Sequence, residues 1–181
     1  MPPINLNESR QVLSDTGLHT LQIFTIAMMT AVAGFAGTVA FMWGAAGPPT
    51  AAREDATLLD FLSLLHLVTA VICYWLASAL FTRRLTMQQE EEEAGDPTAQ
   101  FRRLRAALVV RLALMEAPAY FGLAICLIAG VRGSLQHNPV YWLNLLSTLV
   151  FVLFAVQAFP SRRRVEYLLS KMAATREQSL S

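Results

Sequence analysis

Hydrophobic residues along the chain fall into four long stretches, separated by shorter polar segments. The stretches cover about residues 18–44, 57–81, 106–131 and 139–159. Each has the roughly 20 residues that an α-helix needs to cross about 30 Å of hydrocarbon. Backbone groups find no water at that depth, so such stretches must be helical, and none shows the alternation of a membrane β-strand. The pattern predicts an all-α integral membrane protein with four transmembrane helices in an antiparallel bundle.

The polar segments contain turn-forming residues: GAAGPPT before the second stretch, EEEEAGDPT before the third and GSLQHNP before the fourth. We therefore divide the chain into an N-terminal segment (1–17), a membrane domain (18–160) with an internal loop (82–105), and a basic tail (161–181). Helices two and three are expected to extend into the loop, around a turn at Gly95-Asp96-Pro97. The alternative is that the charged loop is a docking surface for a cytoplasmic partner.

Lysine and arginine are distributed unevenly among these segments. Eleven of the 14 lie in the N-terminal segment, the internal loop and the tail, namely Arg10, Arg83, Arg84, Arg102, Arg103, Arg105, Arg162, Arg163, Arg164, Lys171 and Arg176. Only Arg53 and Arg132 lie in the other connectors, and Arg111 lies within the third stretch. The positive-inside rule then places both termini and the loop in the cytoplasm. The expected location is the inner membrane of a bacterium, with the first stretch as an uncleaved anchor.

Composition agrees with a membrane protein and excludes several classes of function. Hydrophobic residues make up 55% of the chain, charged residues only 15%, and the mean hydropathy is +0.44. The net charge of +1 provides no basic field for binding nucleic acid. Neither a phosphate-binding loop nor a metal-spaced cluster nor a nucleophile motif of soluble enzymes is present, so a conventional catalytic site is not expected. Cys73 and Cys126 lie inside stretches two and three and are expected to remain free thiols.

The third stretch carries an acid, Glu116, and a proline, Pro118, near its middle. At the helical rise Glu116 lies about 15 Å from the start of the stretch. An ionised carboxylate there costs at least about 2.5–3.5 kcal/mol, so the group is expected to be protonated or paired. His66 in the second stretch lies at a comparable depth and is the expected partner if the two helices are neighbours. The first hypothesis is that Glu116 and His66 are linked to proton or ion movement, and the second is that each makes a buried packing hydrogen bond.

Pro118 and Gly122 are expected to shape the same helix. Proline cannot donate to the carbonyl four residues earlier and its ring presses on that carbonyl, so a kink is predicted. Gly122 and neighbouring alanines permit close helix approach. No metal or other cofactor is predicted. A haem bound through His66 remains an alternative, with a second ligand from another subunit, because the three histidines lie at three different depths.

The run DPTAQFRRLRAALVVRLALMEAPAYFGLAICLIAG, about residues 96–130, resembles the carboxylate-bearing helix of rotary-ATPase proteolipids, the subunits that form c-rings. The likeness lies in Ala113, Glu116, Ala117, Phe121 and the pair Gly122-Leu123. It implies reversible protonation or ion binding at Glu116. The rest of the chain does not match that family.

Two functional hypotheses follow for this small polytopic protein. In the first it is a proton- or ion-linked subunit of a membrane complex, and in the second a non-catalytic accessory or assembly subunit. The expected partners are the lipid bilayer, other membrane subunits or further copies of the chain, and a cytoplasmic protein at the 82–105 loop.

Overall fold

The computed structural model describes residues 15–45, 56–86 and 97–168, and all regular structure in these ranges is helical. Helix α1 comprises Asp15–Ala45, α2 Ala56–Thr86 and α3 Pro97–Val131. A short α4, Ser134–His137, leads into a 3₁₀ segment, Pro139–Leu145, which continues as α5, Leu146–Gln157. Residues 162–168 are again helical. The predictions for the far N-terminal residues, the middle of the loop and the end of the tail fall outside the described residues.

Four helical regions are long and apolar enough to cross a bilayer: Gly17–Ala45, Thr57–Arg83, Phe101–Val131 and Pro139–Gln157. They coincide with the four stretches predicted from the sequence, and they indicate an integral membrane protein. Helices α2 and α3 also extend into the loop as expected, because α2 continues to Thr86 and α3 begins at Pro97.

The fourth region differs from the expected continuous α-helix, because its first seven residues form a 3₁₀ helix. Two side-chain bonds accompany this tighter winding, one from within the segment and one from directly after it. The amide of Asn144 donates to the carbonyl of Tyr141, and the hydroxyl of Ser147 donates to the carbonyl of Asn144, both at 3.0 Å and both three residues back. A 3₁₀ helix rises about 2.0 Å per residue, so the nineteen residues of this region extend about 32 Å, enough to cross the hydrocarbon.

Helix α3 forms the centre of the molecule. Half of its most apolar window is buried, against 17 to 28% in the other three regions. Residues of α1, α2 and α5 meet α3 in one central cluster: Met28, Val32, Val39, Ala77, Leu112, Met115, Ala119, Leu123, Cys126, Phe151 and Ala155. The arrangement is therefore three partners around one central helix.

Two smaller clusters occupy the ends of the molecule. At the end here called proximal, the start of α1 meets the start of α3 and the helical stretch after α5. The buried residues of this cluster are Leu18, Leu21, Phe101, Leu104, Leu108 and Val165, and Phe81 from the end of α2 packs against them. At the opposite end, here called distal, the start of α2 meets the end of α3, α4 and the start of the 3₁₀ segment. The buried residues of this cluster are Leu59, Ile125, Ala129, Leu135 and Tyr141. These clusters fix which helix ends lie together.

The outward faces of α1 and α2 are apolar and exposed. Large side chains on them include Ile23, Phe24, Ile26, Phe41, Phe61, Leu64, Leu67, Val71 and Trp75. Hydrocarbon or another membrane protein can cover such faces, whereas water would not. This exposure agrees with the membrane assignment made from length and hydropathy.

Candidate functional site

His66 lies at the centre of a buried polar network that joins α2, α3 and the fourth region. Its side chain is only 5% exposed, and it lies about 15 Å along α2 from Ala56. Nδ1 of its ring is 2.9 Å from Oδ1 of Asn144. Nε2 is 3.0 Å from the carbonyl oxygen of Pro118 and 3.0 Å from Oγ of Ser147. Both ring nitrogens therefore have protein partners.

Asn144 determines which nitrogen of the ring carries a proton. Its Nδ2 donates to the backbone carbonyl of Tyr141 and to Oγ of Ser63, each at 3.0 Å. A carbonyl can only accept, so this contact fixes the orientation of the amide and directs Oδ1 towards His66. Because Oδ1 is also only an acceptor, Nδ1 of His66 must be the donor in this hydrogen bond.

Nε2 faces two partners of different character. Ser147 can either donate or accept, whereas the carbonyl of Pro118 can only accept. In the neutral ring Nε2 accepts from the Ser147 hydroxyl, and the Pro118 carbonyl then faces a lone pair at 3.0 Å. In the imidazolium Nε2 donates to Pro118, and the Ser147 hydroxyl donates to the carbonyl of Asn144. The site can thus accommodate a proton on Nε2 by redirecting one hydroxyl.

The close approach of the fourth region to α3 depends on Gly122. A Cβ atom built at this position would overlap the backbone carbonyl oxygen of Asn144 and lie 2.8 Å from Oγ of Ser147. The missing side chain lets Ser147 reach the carbonyl of Pro118 at 3.1 Å. Gly122 and Pro118, both singled out from the sequence, therefore lie directly beside the His66 network.

The network extends from His66 towards the distal end as a ladder of three pairs. Tyr141 donates to Asp60 at 2.9 Å, Asn144 to Ser63 at 3.0 Å, and Ser147 contacts His66 at 3.0 Å. Each partner in the fourth region lies 81 residues after its partner in α2. Side chains three residues apart in a 3₁₀ helix eclipse one another, so Tyr141 and Asn144 line one edge of the segment, and Ser147 follows them at the start of α5.

Of the residues in this ladder, only His66 was predicted from the sequence. Its other members were not predicted as partners: Asp60, Ser63, Tyr141, Asn144 and Ser147. A signal for them is present, because DFLSLLH (60–66) and YWLNLLS (141–147) share one pattern of polar, aromatic, Leu, polar, Leu, Leu, polar. Polar residues at every third position in two apolar segments indicate two faces that can pair. The shared spacing of the polar residues is evident only when the two segments are aligned with each other.

Glu116 lies away from this network, on the side of α3 towards α1. It is half-buried and is hydrogen-bonded to Tyr120, one turn later. The ring of Tyr120 packs against Phe35 of α1 with centroids 5.9 Å apart. Helices α2 and α3 are neighbours as the sequence hypothesis required, but the structure joins His66 to the Pro118 carbonyl rather than to Glu116. The two protonatable candidates therefore occupy separate sites.

The small residues around Glu116 do not all face protein. Ala119 and Gly122 are buried, whereas Ala113 and Ala117 are exposed, so Glu116 lies at the boundary between packed and outward-facing sides of α3. Part of the Glu116 side chain is therefore exposed on the outer surface of the helices.

The geometry of His66 also bears on the haem alternative. An axial bond to iron requires one ring nitrogen with a free lone pair. Nδ1 is engaged by Asn144, and Nε2 by Ser147 and Pro118. A haem at His66 would therefore have to displace the contacts that join α2 to α3 and to the fourth region.

Comparisons of the chain with protein families, with curated proteins and with solved structures find no match. The likeness to c-ring proteolipids in residues 96–130 therefore stays a prediction from the sequence.

Proposed function

We propose that this protein is a four-span subunit of a membrane complex in which buried protonatable groups, His66 and Glu116, are linked to proton or ion movement. The observation that carries the proposal is the hydrogen bonding of His66. An acceptor whose orientation is fixed faces Nδ1, and a backbone carbonyl lies 3.0 Å from Nε2. Because Nδ1 is the donor to Asn144, Nε2 can bond to the Pro118 carbonyl only when the ring carries a second proton, and this contact supports a proton-linked role.

Protonation of His66 would change the bonding between helices. In the neutral state its Nε2 bonds to Ser147 in α5, and in the charged state it bonds to the carbonyl of Pro118 in α3. The proton thereby shifts a hydrogen bond from one neighbouring helix to another. This is a local electrostatic change acting on packed helices, the usual basis of proton-linked conformational change.

We infer that the four spans alternate in direction, with both termini and the 82–105 loop in the cytoplasm of a bacterial cell. The proximal end brings together the start of α1, the end of α2 and the start of α3. Most lysines and arginines outside the spans lie in segments adjoining this end. The positive-inside rule therefore supports a cytoplasmic proximal end.

Labelling with a hydrophobic carbodiimide tests the role of Glu116, because such reagents react with protonated carboxyls that lipid can reach. In the purified complex we expect modification at Glu116, located by mass spectrometry, that declines as the pH rises. Glu116→Gln keeps a neutral polar side chain and should retain the fold but abolish proton-linked activity of the complex. An unlabelled Glu116 at every pH, or full activity of the Gln variant, would refute a proton-linked role for this residue.

A second candidate function is that of a non-catalytic accessory or assembly subunit. The ladder favours it, because Asp60, Ser63 and Asn144 all have hydrogen-bond partners and can act as packing contacts alone. In this case the exposed faces of α1 and α2 and the loop would contact other subunits. Replacement of Glu90–Glu93 by Gln should then release a cytoplasmic partner in a mild-detergent pull-down, whereas solvated charges would give little change.

A further inference from the structure

Beyond the His66 network, the proximal end has a concentration of arginines near the end of α5. Arg163 and Arg164 are exposed and line a cavity of about 670 Å³ that is widely open to the surface. This volume lies within the range of about 300–1,000 Å³ that is usual for small-molecule sites. The cavity starts where the last membrane-spanning region ends, at Gln157.

The charges of these arginines are not all balanced within the described part of the chain. Arg162 is paired with Glu166 at 3.2 Å, but this pair is separate from the cavity lining. Arg164 donates one hydrogen bond to the carbonyl of Gln157, and a guanidinium has five N–H donors. Arg163 has no hydrogen bond or ion pair to another residue in the described ranges. Donors suited to an oxyanion therefore remain at the cavity.

A third guanidinium contacts α5 outside the lining of this cavity. Arg111 of α3 is held between the rings of Phe81 and Phe154, 4.5 and 4.7 Å from their centroids. Its Nε is buried and has no hydrogen-bond partner among the residues that the structure describes. Its charge is close enough to that of Arg164 for the two to repel each other. An anion bound beside Arg164 would relieve this repulsion.

The lining of the cavity indicates the chemical class of the anion. The polar part of the lining consists of Ser161, Arg163, Arg164 and Tyr167. The apolar part includes Val156, Phe159 and Leu168. A guanidinium binds phosphate oxygens in a bidentate manner, and apolar walls suit an acyl chain. Basic pockets next to membrane-spanning helices are a known recognition mode for anionic lipid headgroups. We propose that Arg163 and Arg164 bind the phosphate of an anionic phospholipid at the membrane surface.

The test is a titration of the detergent-solubilised full chain with short-chain phosphatidylglycerol, measured as the rise in thermal unfolding midpoint. A ligand that binds only the folded state adds RT ln(1 + [L]/Kd) to the free energy of unfolding, so the midpoint rises with ligand concentration and with affinity. We expect the midpoint to rise with the concentration of phosphatidylglycerol and not with that of short-chain phosphatidylcholine. Arg163→Gln combined with Arg164→Gln should weaken the apparent affinity about tenfold or more, the scale of lost hydrogen bonds to a charged group.

Arg162→Gln is the matched control, because it removes the same charge from the same helix outside the cavity, and it should keep the response of the unsubstituted chain. An equal loss in this control would show general electrostatic attraction and overturn the proposal. Inorganic phosphate is the third ligand. An equal rise with phosphate alone would assign the site to a free anion and refute the lipid, as would the absence of any rise with phosphatidylglycerol.

Discussion

At the scale of single residues, Gly122 makes the closest contact between α3 and the fourth region. Its missing Cβ leaves room for the carbonyl of Asn144, which is part of a backbone and cannot move aside as a flexible side chain could. We expect Gly122→Ala to destabilise the protein by about 1–3 kcal/mol, the usual cost of overpacking. The free energy of unfolding can be measured by SDS titration in mixed micelles, followed by circular dichroism.

Gly130→Ala on the same helix is the control for this prediction. A Cβ there meets nothing within 4 Å, so the substitution should leave stability unchanged or raise it by up to about 1 kcal/mol through helix propensity. Similar losses in the two variants would contradict the close contact at Gly122.

The candidate site could be predicted from the sequence only in part. His66, Glu116, Pro118 and Gly122 were identifiable because polar, cyclic or very small residues inside a hydrophobic segment have few structural explanations. Their pairing was not identifiable, since it depends on the rotation of each helix about its axis. Apolar residues surround α2 almost completely, so its sequence gives little indication of which face meets α3.

At the scale of elements, the 3₁₀ segment positions Asn144 to hold the orientation of His66. Asn144→Ala would remove the contacts to Ser63 and to the carbonyl of Tyr141, and it would leave Nδ1 of His66 unpaired. We expect a loss of about 1–3 kcal/mol, most of it from the unpaired buried donor, since single hydrogen bonds between membrane helices average about 0.6 kcal/mol. The same SDS titration measures it.

Gln157→Ala provides a matched amide in the same membrane-spanning region. The Gln157 side chain is exposed, so its removal should change stability by less than about 0.5 kcal/mol. Equal losses in the free energy of unfolding for Asn144→Ala and Gln157→Ala would contradict the role assigned to Asn144.

The four helices themselves were predictable in number and approximate extent, because the length of an apolar run is set by bilayer thickness. The 3₁₀ winding at the start of the fourth region was not predictable. Side-chain bonds of Asn144 and Ser147 to carbonyls three residues earlier accompany it, and hydropathy does not register such bonds. The shared pattern in DFLSLLH and YWLNLLS was the available clue.

At the scale of the whole molecule, the proposed topology places Gln136 outside the cell and Ser161 inside it. Both residues are exposed, at the distal and proximal ends respectively. A cysteine at Gln136 should therefore react with a membrane-impermeant maleimide in intact cells, and one at Ser161 only after the cells are opened. The unsubstituted chain is the control, since Cys73 and Cys126 lie within the spans. The reverse pattern of labelling would invert the proposed orientation.

The central claim is that His66 binds and releases a proton on Nε2 while Nδ1 keeps its proton. The measurement that tests it most directly is ¹⁵N NMR of the His66 ring over the pH range in which the protein remains folded. Assignment comes from the signal lost in His66→Gln. We predict that Nδ1 is protonated throughout and that Nε2 gains a proton reversibly as the pH falls. A neutral ring with its proton on Nε2 and none on Nδ1, or an Nε2 that never titrates, would contradict the proposal.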